Sequence, residues 1–147
     1  MLLAIIGESC TGKSILADKL CELLNAQQFT GKDYLRLAKN EDISKKLFQE
    51  MLSAAVEGET LVYVISEKEH LVLLPDGAIK ILMTADLDII LARFAARLHG
   101  RLPIPVKQML ERKHGMFDGI AYSYRIHNSE NEAQVCEDIL AHKRELP

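Results

Sequence analysis

Apolar residues along the chain fall into two kinds of run. Continuous ones occupy residues 2–6, 60–65, 79–83 and 121–126, with a brief further run at Gln27–Thr30. Unbroken rather than alternating hydrophobicity predicts short strands buried on both faces. Between them apolar residues recur at helical spacing. Residues 12–24 set Leu16, Leu20, Leu23 and Leu24 on one face. Glu41–Glu57 does the same with Ile43, Leu47, Met51 and Ala54, and Gly58 supplies a stop. A third stripe in 86–98 joins Leu87, Ile90, Leu91, Phe94 and Leu98, with Thr84 or Ala85 at its start. The last helix opens at Ser129, with Glu132 at capping-box spacing, and turns Val135, Cys136, Ile139 and Leu140 inward. Residues 99–106 follow neither period and hold Gly100, Pro103 and Pro105, which predicts a loop between two helices and a candidate lid. Strands alternating with helices imply an α/β fold with a mostly parallel sheet covered on both faces.

A length of 147 residues suits one domain spanning 1–147, large enough to need no disulfide or metal staple. A net charge of −3 argues against a protein that coats nucleic acid or anionic membrane by bulk electrostatics. No apolar run approaches the ~18 residues of a membrane span, and the first residues lack the basic leader of a signal peptide. Cys10, Cys21 and Cys136 form no CxxC pair, and the histidines show no HExxH or HxH spacing. Reduced thiols, no structural metal and a cytoplasmic location are therefore expected.

One motif carries specific chemistry. Gly7-Glu8-Ser9-Cys10-Thr11-Gly12-Lys13-Ser14 matches G-x-x-x-x-G-K-[ST] between a buried strand and an amphipathic helix. Glycines there let the backbone wrap closely, so that successive N–H groups and the helix N-terminus meet phosphate oxygens. Lys13 would reach the β- and γ-phosphates and Ser14 would ligate Mg²⁺, which makes ATP and Mg²⁺ the expected cofactors. Cys10 reads as a small residue that fits the turn, or as a thiol activated by the helix end.

Other segments resemble known kinases. Thr30-Gly31-Lys32-Asp33-Tyr34-Leu35-Arg36 is similar, with one extra residue, to the T-G-D-x-L-R stretch of adenylate-kinase-type nucleoside monophosphate kinases. The resemblance implies that Thr30, Gly31 and Arg36 line an acceptor phosphate site. Residues 71–87 resemble the V-V-F-P-D-A-x-x-K-I-F-L-x-A-S run of cytidylate kinases. Glu111-Arg112-Lys113 resembles their E-R-D/K run after the lid, and 122–129 their last strand and adenine loop. The family implies five parallel strands in the order 2-3-1-4-5. Where cytidylate kinases carry the nucleotide-binding Gly-Arg-Asp, this chain has Ser66, Glu67 and Lys68.

The remaining site residues are charged. Asp33 and Glu67 each follow a strand's carboxyl end, where open α/β sheets bind ligands, and either would hold a Mg²⁺ water or orient an acceptor. Arg97, Arg101 and Arg112 run from a helix through the proline-bearing loop and would close over the moving phosphoryl group. Arg93 reads as a solvated position, as do His99 and His114. Tyr34 and Phe48 read as core.

These readings converge on an ATP·Mg²⁺-dependent kinase whose acceptor is a nucleoside monophosphate bound around 33–57 beneath a short lid at 97–106. The alternatives are a shikimate- or gluconate-type kinase acting on a hydroxyl, and a non-catalytic ATP-binding regulator. The expected partners are a nucleotide and a small anionic or hydroxylated acceptor, with no nucleic acid or membrane, for a monomer or homodimer.

Overall fold

A computed structural model describes residues 1–145. Strands β1 (Leu2–Gly7), β2 (Gln27–Thr30), β3 (Leu61–Ile65), β4 (Ile79–Thr84) and β5 (Tyr124–His127) form one sheet in the order β2-β3-β1-β4-β5. Every pairing is parallel. Helices α1 (Lys13–Leu24), α2 (Glu41–Glu57), α3 (Leu87–Arg97), α4 (Ile104–Lys113) and α5 (Glu132–Glu145) connect or follow them. Two 3₁₀ turns, Asp33–Leu37 and Lys68–Leu73, follow β2 and β3. The expected fold and strand order are both present.

β1 and β3 are buried along their whole length, as continuous apolar strands in the middle of a covered sheet must be. Alternate residues of β1 face opposite ways. Leu3 and Ile5 pack with Leu16, Leu20 and Leu24 of α1 and with Val135, Cys136 and Ile139 of α5. Leu2, Ala4 and Ile6 pack with Phe48 and Leu52 of α2. A third, smaller cluster joins Cys10 and Ala85 to Ile90 of α3 and Leu110 of α4.

Two helical faces differ from expectation. On α1, Leu23 is half exposed and Ala17 takes its place among the buried residues. α2 is turned by one residue. Ser44, Phe48, Leu52 and Ala55 are buried, whereas Ile43 is 54% exposed and Leu47 39%. The turn is set by aromatic packing, since Phe48 stacks on Tyr34 at 5.1 Å and meets Tyr63 edge-on at 4.8 Å. Ser44 is tolerated inside because its hydroxyl donates its one proton to the Ala38 carbonyl at 2.9 Å, with the Leu35 carbonyl the alternative acceptor at 3.3 Å, and accepts from the Ala38 N–H.

Three boundaries also move. The loop expected over 99–106 is shorter, because Pro103 caps α4 and Pro105 sits in its first turn, where a missing N–H costs nothing. α3 starts after Asp86 rather than Thr84 or Ala85. The capping box at Ser129 does not form: Ser129 and Asn128 adopt left-handed turn conformations, and α5 begins only at Glu132. The Glu132 carboxylate instead accepts from Lys19 Nζ at 2.8 Å.

Candidate active site

The carboxyl ends of the strands form one edge, and the G-x-x-x-x-G-K-S loop leaves it from β1 at the sheet centre. Gly7 has no room for a side chain. A Cβ there would lie 2.5 Å from the Met83 carbonyl oxygen and 2.7 Å from Thr11 Oγ1. Gly12 caps α1 at a φ of 96°, a conformation that side chains rarely adopt. Thr11 is fully buried, and its hydroxyl donates to the Glu8 carbonyl at 2.8 Å, closing the loop on itself. Ser9 and Ser14 are exposed on the open side.

Lys13 turns back into the loop. Its side chain is buried and donates to the Glu8 carbonyl. Burial pushes the ammonium down to about 8, and the nearby Arg97 guanidinium acts in the same direction, against Cys10 and Glu8. A cation held this way is short of solvation, so an arriving phosphate supplies what the protein withholds.

Arg93 is where sequence reasoning failed. It is half-buried rather than free on the surface, and its guanidinium donates to the Cys10 carbonyl at 2.9 Å. Cys10 itself has a φ of 63°, and its side chain packs against Ile90 and Leu110 rather than reaching the open side. Arg93 thus holds the carbonyl of a left-handed residue turned outward in the middle of the loop. The spacing of Arg93 and Arg97, one helical turn apart, was the available signal. Arg101 is exposed in the short linker, and Arg112 is exposed in the last turn of α4.

Thr30, Gly31, Asp33 and Arg36 do come together, as one self-contained turn at the end of β2. Asp33 Oδ2 accepts from the Thr30 N–H at 3.0 Å and lies 3.6 Å from the Arg36 guanidinium. Tyr63 donates its hydroxyl to the Gly31 carbonyl at 2.8 Å. This turn packs on α2 and β2, two strands and therefore roughly 10 Å from β1. Glu67, beyond β3, lies 3.5 Å from Lys113 at the end of α4.

The segment after α4 closes on the loop. His114 Nδ1 lies 3.0 Å from Glu8 Oε1, and the Gly115 N–H donates to Glu8 Oε2 at 3.1 Å. What remains between Glu8, Ser9, Ser66 and Glu67 on one side and Leu110, Lys113 and Met116 on the other is a cleft of about 30 Å³. Across β4 and β5, Asp86 accepts from Asn128 Nδ2 at 3.0 Å and lies 3.1 Å from His127 Nε2, whose other nitrogen is 2.8 Å from Thr84 Oγ1. The Asn128 hydrogen bond leads in holding the Asp86 carboxyl below its ordinary value, with His127 and His114 assisting.

A magnesium ion fits this donor set. Among the described residues no group of three or more His, Cys, Asp or Glu side chains gathers around a metal position. Mg²⁺ in nucleotide sites keeps waters and phosphate oxygens and needs only one or two protein ligands. Ser14, exposed at the start of α1, is the hydroxyl available to it. Among the described residues no helix is long and apolar enough to cross a membrane.

No protein-family model and no curated protein matches the chain. Solved structures do. An uncharacterized protein from Eubacterium ventriosum is 17% identical, with a TM-score of 0.64 over 99% of each chain. YorR from Bacillus subtilis, in complex with phosphorylated GDP, is 20% identical, with a TM-score of 0.61 over 98% of this chain and 96% of its own. Shikimate kinase from Acinetobacter baumannii, in complex with shikimate, is 12% identical, with a TM-score of 0.61 over 97% of this chain and 94% of its own. At such identities the likeness is one of fold, and the fold is the one shared by P-loop kinases.

Proposed function

We infer that the chain is an ATP-dependent phosphotransferase that moves the γ-phosphoryl group to a small acceptor. The observation that carries this reading is the desolvated Lys13 inside the glycine-bounded loop, with Arg93 and Arg97 arriving from α3. Phosphoryl transfer depends on positioning and on cations fixed in a dry site, and these residues supply both. The backbone N–H groups of residues 7–14 and the Lys13 side chain would hold the triphosphate, and Ser14 would hold Mg²⁺, which neutralises developing charge when bound. Lys13 and Arg97 would face the moving group, and Arg101 and Arg112 would approach it from either end of α4.

The acceptor is a nucleoside monophosphate in our first reading, lying between the Asp33–Leu37 turn, Glu67 and α4, with Arg36 toward its phosphate and Thr30 and Gly31 beside it. A second reading, supported by the likeness to shikimate and gluconate kinases, is a small hydroxylated acid. Asp33 would then orient the hydroxyl and take its proton. As with other P-loop kinases, a Mg²⁺-bound water could be oriented by Asp33 or Glu67.

The test is ADP release from ATP·Mg²⁺ against AMP, CMP, UMP, GMP, their deoxy forms and a panel of hydroxy acids. Stimulation by one class and its loss in Lys13→Ala are expected. ATP binding without stimulation by any acceptor would replace the kinase with a nucleotide-binding regulator.

A further inference from the structure

A carboxylate in a phosphate loop is a liability, because it faces the same donors and the same space as the nucleotide's anionic oxygens. Glu8 occupies such a position, immediately after Gly7, yet its side chain is only 11% exposed. Both of its oxygens are occupied, one by the His114 ring at 3.0 Å and the other by the Gly115 N–H at 3.1 Å. These partners lie more than a hundred residues away, directly after α4. The neighbouring Lys113 reaches Glu67 beyond β3. Three consecutive residues, Lys113, His114 and Gly115, therefore grip the ends of two adjacent strands, and Arg112 immediately precedes them.

We propose that Glu8 is a positioning residue, docking the end of α4 on the phosphate loop through His114 and Gly115 so that Arg112 is set over the transferred group. The proposal rests on the kinase reading above for its effect on turnover, though not for the contact itself. Glu8 acts through the docked segment and need not touch the substrate. Its grip also turns the carboxylate away from the nucleotide. Removing the Glu8 charge should therefore slow transfer without weakening ATP, since a negative charge beside the triphosphate is lost while the loop's backbone donors stay. A residue that merely shaped the loop would lose both together.

The experiment compares Glu8→Gln, His114→Gln and the double variant with the parent. It measures ATP affinity by equilibrium binding and kcat at saturating ATP and acceptor. Each single variant is expected to lower kcat roughly tenfold, the scale of a lost charge-assisted hydrogen bond. ATP affinity should be unchanged or tighter in Glu8→Gln, which removes the charge, and unchanged or weaker in His114→Gln, which frees one oxygen of an intact carboxylate; the double variant should be no slower than either single one. Affinity and kcat falling in parallel in Glu8→Gln, or the two losses of kcat multiplying in the double variant, would overturn the proposal. Hydrogen exchange keeps it testable if no acceptor is found. In Glu8→Ala the Gly115 amide and residues 110–117 should exchange several-fold faster while β1 and β3 stay protected, and unchanged exchange there would defeat the dock itself. A parent that binds ATP but phosphorylates nothing would defeat only the kinase reading.

Discussion

Lys13→Met should make the nucleotide-free protein more stable while destroying phosphate binding. Met keeps much of the length and apolar bulk of the lysine stem and removes the charge. The ammonium is pushed from its ordinary 10.5 to about 8, and its side chain is buried. At 1.36 kcal/mol per pKa unit this corresponds to about 3 kcal/mol of destabilisation at neutral pH. Losing the hydrogen bond to the Glu8 carbonyl takes back about 1 kcal/mol, and that carbonyl still accepts from Thr11. The net expectation is about 2 kcal/mol of stabilisation, roughly 6 °C in melting temperature for a chain of this size. The sign follows from linkage. Below about pH 8 both folded and unfolded states hold the proton, and the cost of burying the charge is felt in full. Between about 8 and 10.5 the unfolded chain binds more protons, so the parent gains stability as pH rises, and the variant's advantage falls through zero to a deficit of about 1 kcal/mol, the lost hydrogen bond. Urea unfolding of both proteins at several pH values from 7 to about 10.5 measures this difference, in which other titrating groups cancel. A variant no more stable than its parent at pH 7, or an advantage independent of pH, would refute the claim that Lys13 is held desolvated.

Other expectations concern single contacts. Arg93→Ala should destabilise the fold by about 1–2 kcal/mol by leaving the Cys10 carbonyl without its donor, and should weaken ATP binding roughly tenfold; denaturant titration and equilibrium binding read the two effects. Gly7→Ala should cost about 3 kcal/mol, since its Cβ meets the backbone oxygen of Met83, and a calorimetric melting temperature within a degree of the parent would contradict that geometry. His70 is buried, and among the described residues its Nδ1 has no partner, so His70→Leu should stabilise by about 1 kcal/mol in an unfolding assay.

The elements that sequence revealed are those whose causes are local. Four apolar runs and the brief candidate at Gln27–Thr30 became five strands, the last starting at Tyr124 rather than Ala121, and the phosphate loop could be read because its glycines, lysine and serine are close in sequence. Strand order came from family resemblance, since nothing in the runs themselves orders them. The face of α2 was misjudged because two adjacent rows, Ile43-Leu47-Met51-Ala54 and Ser44-Phe48-Leu52-Ala55, both repeat at helical spacing. Ser44 made the true row look polar, and the carbonyls that satisfy it belong to the turn before the helix. Arg93 and Glu8 were opaque for a related reason. Their partners lie 83 and more than a hundred residues away, and no window along the chain contains both ends of such a contact. The Thr30–Arg36 turn forms as one unit, yet its hydrogen bonds are largely with itself, so its residues say more about local shape than about a ligand.

The smallest of the three apolar clusters governs how the molecule breathes. α3 and α4 are anchored chiefly by Ile90 and Leu110, with Cys10 and Ala85 beneath them, whereas the sheet is sealed by long rows of buried residues on both faces. Burying two such aliphatic side chains is worth about 3–6 kcal/mol. Those two side chains alone would let the helices lift away about once in every 10²–10⁴ conformational samplings while the sheet remains intact, and the partly buried Phe94 and Met109 with the Arg93 and Glu8 contacts make it rarer. The protein is thus divided into a durable floor that carries the phosphate loop and a cheaply detached roof. Entry to the phosphate loop would then draw on the roof's fluctuation and leave the stability of the floor untouched.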